Sequence, residues 1–130
     1  CPYINGTWPA EHLPSSSDND GIFITVGSNL IPMGYGIEHL EEKNPVAWPG
    51  FATVDDIAAF PPTMVNVNEC DPLRDEGIEF YRLLLSAGVK AHCRQVMGTM
   101  HAADLFVSAF PDLSRMTARD IRSWVDECRS

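Results

Sequence analysis

The chain has 130 residues, the size of one domain or of part of one. Its composition, with 45% hydrophobic and 21% charged residues, is typical of a soluble globular protein. The formal net charge is −9, and no cluster of lysines and arginines is present that would displace counterions from a phosphate backbone, so we expect no nucleic-acid partner. No run of about 18 apolar residues occurs, so we expect no membrane span.

The chain begins without an initiator methionine or a signal-peptide pattern, so we do not expect a native N-terminus. Its cysteines are widely spaced and form no C-x-x-C pair, which argues against a metal site: Cys1, Cys70, Cys93 and Cys128. We interpret them as buried free thiols, and two disulfides, as in a secreted protein, remain open. The expected location of this soluble protein is the cytoplasm rather than outside the cell.

The first fifty residues predict an irregular segment. They contain six of the ten prolines, a turn cluster at 15–21 and the glycines of 32–36. Because proline removes a backbone donor and fixes φ, long regular elements are not expected here. The apolar stretch Ile22–Val26 is compatible with a strand or with the beginning of a helix.

Residues 51–130 carry clearer signals. Thr53–Asp56 is a candidate capping box for a short helix that ends near Phe60, before two prolines. The β-branched residues of Thr63–Asn68 predict a strand, and the apolar spacing in Asp75–Ala87 predicts a helix that Gly88 ends.

A second strand and a terminal helix follow. Apolar and polar residues alternate from Val89 to about Met97, and Gly98 is expected to end this strand. Thr117–Asp120 is a second candidate capping box, followed by apolar residues at helical spacing: Ile121, Trp124, Val125 and Cys128. The order strand–helix–strand–helix predicts an α/β architecture with parallel strands and right-handed crossovers.

An acidic residue and a histidine follow the two predicted strands. Asp71 comes after the first strand and His101 after the second. Because the carboxyl ends of parallel strands meet at one edge, the Asp71 carboxylate can accept the imidazole Nδ1–H and stabilise an imidazolium formed in acyl transfer. The alternative is that Asp71 caps the following helix and His101 is an ordinary turn residue. The spacing leaves both open.

The string Asp-Pro-Leu-Arg-Asp-Glu-Gly at 71–77 resembles the hormone-sensitive-lipase-like branch of the α/β-hydrolases. The resemblance continues through 87–89, Gly98 and His101, and less specifically through 1–4, 17–21 and 44–49. It implies that Asp71 is the acid and His101 the base of a catalytic triad. It assigns Arg74 and Asp75 to helix capping and loop packing.

The resemblance also implies a cap over the active site, built partly from segments like residues 15–45. Residues around Ile22–Val26 and Met33–Tyr35 would then line an acyl or alcohol pocket, or simply pack within the cap. The family usually has glycine after the histidine, where this chain has Ala102. A positive φ at this position would be less favourable for alanine than for glycine.

Two motifs of the resembled enzymes do not occur in the sequence: the G-x-S-x-G nucleophile elbow and the His-Gly-Gly-Gly oxyanion loop. We therefore expect the C-terminal portion of an α/β-hydrolase, with residues 1–50 holding part of the cap, residues 51–130 belonging to the core, and the sheet incomplete without the N-terminal half. The nucleophilic serine would lie on a complementary N-terminal chain or segment, and this chain alone is expected to be inactive.

The function expected from this resemblance is hydrolysis of carboxylic esters, with a small-molecule ester or lactone as substrate and no metal or organic cofactor. The competing hypothesis is a non-catalytic fragment or binding module that retains the hydrolase shape. The remaining histidines, His12, His39 and His92, have no partners at ligand spacing, and His92 is expected to be solvated.

Overall fold

The structure is a computed structural model that describes residues 2–27 and 30–129. Cys1, Ser28, Asn29 and Ser130 lie outside the described residues. The helices are α1 (Ser15–Asp18), α2 (Leu30–Tyr35), α3 (Ile37–Glu41), α4 (Val54–Ile57), α5 (Arg74–Ser86) and α6 (Pro111–Arg129), and the strands are β1 (Thr63–Cys70) and β2 (Ala91–Met100). Two 3-10 turns lie at Pro49–Phe51 and Ala103–Leu105.

Strands β1 and β2 pair in parallel, as the element order predicts, and α5 connects them. Helix α5 begins at Arg74, one residue before the predicted boundary, and ends at Ser86. Gly88 then has a φ of 74°, a conformation that glycine adopts without steric cost. This turn returns the chain to the sheet beside β1.

The predicted end of the second strand is wrong. Strand β2 continues through Gly98, which has a φ of 69°, to Met100. The pairing is irregular at this point, because Asn68 lies opposite Val96 whereas Cys70 lies opposite Met100. Two residues of β1 therefore span the same distance as four residues of β2. The irregularity is a bulge, and glycine supplies the positive φ that the bulge requires.

The capping box before α4 is confirmed. The Thr53 hydroxyl accepts from the Asp56 amide, and the Asp56 carboxylate accepts from the Thr53 amide at 2.7 Å. The Thr53 amide and the Thr53 hydroxyl both donate to the Asp56 carboxylate and hold the pKa of Asp56 below its ordinary value. The helix is shorter than predicted and ends at Ile57, three residues before Phe60.

The predicted start of the terminal helix is wrong. Helix α6 begins at Pro111, six residues before Thr117, and proline is favoured at a first helical position. Thr117 is a buried residue inside the helix, where its Oγ1 accepts from Arg94 Nη1 at 2.8 Å. Asp120 pairs with Arg94 Nε at 3.1 Å. The two residues that resemble a capping box therefore hold α6 against β2.

Helices cover both faces of the two-stranded sheet. The apolar core lies between the sheet and helices α4 and α5, and its buried members are Ile57, Val65, Val67, Leu84 and Val89. Helix α6 lies on the opposite face, where His92 stacks on Trp124 with ring centroids 5.9 Å apart. His92 is exposed, as predicted, although one side of its ring is covered. The fold is therefore that of an α/β protein with one sheet between helical layers.

The segment before residue 50 is largely irregular, and its helices are short. Ile22–Val26 forms neither a helix nor a strand, which resolves the open alternative. Trp48 and Leu13, each 1% exposed, anchor the segment against the rest of the chain. None of the helices in the described part is long and apolar enough to cross a bilayer.

Three cysteines fall within the described residues. Cys70, Cys93 and Cys128 are free thiols, as predicted, but they are half-buried rather than fully buried. Burial raises the pKa of the Cys93 thiol. Cys1 lies outside the described residues.

Leu84 offers a test of the α5–sheet core. Its side chain is fully buried, whereas the adjacent Leu85 is 48% exposed. We expect Leu84→Ala to lower the free energy of unfolding by about 2–5 kcal/mol, because it leaves a cavity between α5 and β1. The matched control Leu85→Ala should change it by less than about 1 kcal/mol. Equal losses in the two variants, measured by denaturant titration, would contradict this packing.

Candidate active site

Asp71 lies in the turn between β1 and α5 and is completely buried. Its Oδ1 accepts from the Leu73 amide at 2.9 Å, and its Oδ2 lies 2.9 Å from His101 Nδ1. Asp71 does not cap α5, whose N-cap residue is Leu73 and which has no side-chain cap. One carboxylate oxygen of Asp71 instead holds the turn before the helix, and the other pairs with the histidine.

His101 directly follows β2, and its side chain is 24% exposed. A carboxylate oxygen is an acceptor, so its contact with Nδ1 favours the tautomer that carries the proton on Nδ1. Nε2 is then left with a lone pair. This is the arrangement in which a histidine can take a proton from a nucleophile while a carboxylate stabilises the imidazolium.

The turn that carries Asp71 is fastened to helix α1. The Asp75 carboxylate accepts from the Ser15 amide at 2.7 Å, and the Ser15 hydroxyl accepts from the Asp75 amide. Asn19 donates to the carbonyls of Glu69 and Asp71 at 2.9 and 3.2 Å. The position of the acid is therefore fixed from the irregular segment as well as from the sheet.

Arg74 and Asp75 have the packing role that the resemblance implies. Arg74 donates to Asp75 Oδ1 at 2.8 Å and to the Glu69 carbonyl at 3.0 Å. Burial alone would raise the pKa of Asp75, but its hydrogen bonds with Arg74 and Ser15 and the Arg74 charge hold it below the ordinary value. Neither residue is hydrogen-bonded to His101; both stabilise the turn.

Sequence reasoning missed Glu76, a second buried carboxyl group close to Asp71. Glu76 is 4% exposed and accepts from the Ile4 amide at 3.0 Å and from Trp8 Nε1 at 2.9 Å. Burial raises its pKa to about 7, and the negative charge of Asp71 adds to the effect. The available signal was its position one turn before Phe80 on the apolar side of α5.

Ala102, directly after the histidine, has the positive φ that is less favourable for alanine than for glycine. Its φ is 54° and its ψ is 23°, the left-handed region in which a Cβ atom is unfavourable. The turn cannot relax easily, because the next residue, Ala103, is completely buried. Alanine therefore occupies a backbone conformation that glycine would adopt at lower cost.

An apolar hollow of about 790 Å³ opens beside His101. Its lining includes the residues expected from the cap, Ile24, Val26 and Tyr35, whereas Met33 is 66% exposed and does not contribute. The remaining wall is aromatic and aliphatic and is formed by Tyr3, Ile4, Thr25, Val46, Ala47, Trp48, Pro49 and Leu73. Among the described residues, no carboxylate, lysine or arginine lines the hollow, so it suits an apolar group.

No serine among residues 2–27 and 30–129 is hydrogen-bonded to His101. Ser15 and Ser16 are buried and bond to nearby backbone groups, and Ser86 bonds to a carbonyl of its own helix. The same residues contain no group of three or more His, Cys, Asp or Glu side chains that could hold a metal ion. The described part therefore presents an acid–base pair beside an apolar hollow.

Glu76 predicts a pH-dependent stability. Its pKa is about 7 in the folded chain against an ordinary value of 4.5, so the folded state keeps a proton that the unfolded state releases. The free energy of unfolding should therefore fall by about 3 kcal/mol as the pH rises from about 4.5 through 7. Glu76→Gln should flatten this dependence in denaturant titrations at several pH values. Glu79→Gln, a 48% exposed neighbour on α5, should not, and a wild-type slope in Glu76→Gln would contradict the assignment.

Ala102 predicts an unequal response to two substitutions. Ala102→Gly relieves the left-handed strain but gains entropy in the unfolded chain, so we expect a change in stability below about 1 kcal/mol. Ala102→Val places a β-branched residue at a φ of 54° and should lower the free energy of unfolding by more than about 1 kcal/mol. Ala118→Val, within helix α6, controls for the larger side chain. A melting temperature of Ala102→Val equal to that of the wild type would contradict the strain.

Comparison with known proteins assigns the family. The family described as the α/β-hydrolase fold matches residues 6–105. Esterase LipI of Mycobacterium tuberculosis (strain ATCC 25618 / H37Rv) is 26% identical over 120 residues, which are 92% of this chain and 37% of that protein.

Two solved structures are more similar. Esterase Est22 is 56% identical with a TM-score of 0.93, over 100% of this chain and 38% of that one. Brefeldin A esterase, a bacterial homologue of human hormone sensitive lipase, is 41% identical with a TM-score of 0.88, over 98% of this chain and 38% of that one. The chain thus spans less than two fifths of the length of each relative. It belongs to the α/β-hydrolase family, and it is similar to esterases that include a bacterial homologue of human hormone sensitive lipase.

Proposed function

We propose that this chain supplies the acid and the base of a Ser-His-Asp triad in a carboxylic-ester hydrolase. The observation that carries the proposal is the 2.9 Å contact between the buried Asp71 Oδ2 and His101 Nδ1 at the ends of two parallel strands. The apolar hollow beside His101 supports it, because a substrate held there would lie next to the base.

In the proposed reaction a serine hydroxyl attacks the acyl carbon of the ester, and His101 Nε2 accepts the hydroxyl proton. Asp71 holds the Nδ1–H and stabilises the imidazolium. The proton then passes from His101 to the departing alkoxide, and the alcohol leaves an acyl-enzyme. Water, deprotonated by His101, attacks the acyl carbon of this intermediate; the bond to the serine oxygen breaks, His101 returns the proton to that oxygen, and the acid leaves.

The serine and the oxyanion donors are proposed to lie on a segment outside these 130 residues, either a second chain or another part of the same polypeptide. The lengths of the relatives, of which this chain covers 37–38%, support that division. Without a nucleophile and preorganised donors, most of the rate enhancement is lost, so the isolated chain should show no turnover.

The proposed substrates are small to medium esters or lactones with an apolar side. The size and lining of the hollow support this class, since aromatic and aliphatic side chains form most of its wall. A structure of Est22 was solved with p-nitrophenol, an aromatic alcohol. A p-nitrophenyl ester with a short acyl chain is therefore a suitable probe.

The free thiols of Cys70, Cys93 and Cys128 support a cytoplasmic location for the protein.

The test requires the complete enzyme, by which we mean this chain joined to the segment that carries the serine. A chimera in which this chain replaces the matching segment of Est22 provides it in a defined form. With p-nitrophenyl butyrate, we expect Asp71→Asn and His101→Ala each to lower kcat by about 10³-fold or more, because the base loses its orientation or is absent.

His12→Ala is the matched control, since this histidine is 64% exposed and contacts Glu79, and its turnover should stay within about twofold of the wild type. Near-wild-type turnover in Asp71→Asn or His101→Ala would refute the assignment of the pair. An inactive chimera that folds cooperatively would favour the alternative, a non-catalytic module with the hydrolase shape.

A further inference from the structure

The two strands change register just before the candidate site. Thr63 pairs with Ala91 and Asn68 with Val96, so paired residues differ by 28 in number, whereas Cys70 pairs with Met100, a difference of 30. If the first register continued, Thr99 would lie level with Asp71. The two extra residues in β2 are what bring His101 level with the acid.

Side chains of β1 hold this bulge. Asn68 is 5% exposed, and its Nδ2 donates to the Met100 carbonyl at 2.8 Å. This orientation turns Oδ1 toward the Thr99 hydroxyl at 3.0 Å, which also lies 2.8 Å from the Val96 carbonyl. Both ends of the Asn68 amide therefore contact the two residues that precede His101.

Glu69 adds a contact one residue farther along β1. Its Oε2 accepts from the Gly98 amide at 2.6 Å. Gly98, Thr99 and Met100 are thus each bound by a side chain of β1 where the regular backbone ladder is interrupted. A bulge leaves backbone groups unpaired, and these side chains take the place of the missing ladder bonds.

We propose that Asn68 is a positioning residue for His101. This inference rests on the proposed function. Asn68 lies on β1, three residues before the acid, and is hydrogen-bonded to the last residue of β2, directly before the base. It therefore couples the positions of Asp71 and His101. When a base is displaced by about 1 Å, the rate falls by about 100-fold, although the substrate pocket is unchanged. Loss of Asn68 should therefore lower kcat and leave KM nearly constant.

The experiment uses the complete enzyme with p-nitrophenyl butyrate. We expect Asn68→Ala to lower kcat by about 10- to 100-fold with KM within about twofold of the wild type. Thr99→Val, which removes the hydroxyl, should lower kcat by a smaller factor with KM again nearly constant. Thr99→Ser, which keeps the hydroxyl, should have a kcat within about twofold of the wild type. Ser86→Ala is the matched control, because it removes an exposed side-chain hydrogen bond to a backbone carbonyl within α5, away from the bulge.

A second readout separates positioning from general damage to the fold. The Nδ1 proton shared by His101 and Asp71 should give a downfield proton NMR signal in the wild type, which should broaden or disappear in Asn68→Ala while the thermal transition stays cooperative. If Asn68→Ala does not fold, the Thr99→Val and Thr99→Ser pair decides the question by the same two measurements.

Three outcomes would overturn the proposal: a kcat of Asn68→Ala within twofold of the wild type, a rise in KM that accounts for the whole loss, or equal values of kcat in Thr99→Val and Thr99→Ser. His101→Ala in the same assay separates the two hypotheses. If His101→Ala is inactive and Asn68→Ala is fully active, only the positioning role fails. If His101→Ala is active, the proposed function fails.

Discussion

The contact between Asp71 and His101 is the constraint on which the rest of this structure depends. A carboxylate with no solvent exposure must find its hydrogen bonds within the protein, and Asp71 has the Leu73 amide on one oxygen and His101 on the other. Leu73 belongs to the same turn as Asp71, whereas His101 comes within reach because parallel strands end at the same edge of the sheet. The α5 crossover, whose core residues hold β1 and β2 side by side, is thus a condition for the site.

The same turn also organises the irregular segment. Asp75 binds the beginning of α1 through Ser15, and Glu76 binds residues farther toward the N-terminus through Ile4 and Trp8. Together with Asp71, which binds His101, three acidic residues of the stretch 71–76 therefore contact three separate parts of the chain. Burial of Glu76 close to Asp71 disfavours a second negative charge, which explains its raised pKa. The wall of the hollow beside His101 depends on these contacts, since Tyr3 and Ile4 belong to the segment that Glu76 holds.

Elements with local signals could be predicted from the sequence. The capping box of Thr53, strand β1 and helix α5 follow from residues adjacent in the chain. The end of β2 and the start of α6 could not, because the bulge at Gly98 depends on pairing with β1, and Thr117 is fixed by Arg94 on another element. For the site, strand order placed Asp71 and His101 at one edge, and the resemblance gave their roles. Neither gave the contacts of Asn68, which exist only in the bulged register.

The size of the bulge has a geometric reason. Side chains alternate between the two faces of a strand, so a shift of one residue would exchange the faces of every residue after it. A shift of two residues keeps the alternation and moves the histidine along the strand toward the acid. Gly98 absorbs part of the extra backbone with a φ of 69°, and the left-handed Ala102 turns the chain away immediately after His101. The base is therefore held between two unusual backbone conformations, and the side chains of Asn68 and Glu69 stabilise the first of them.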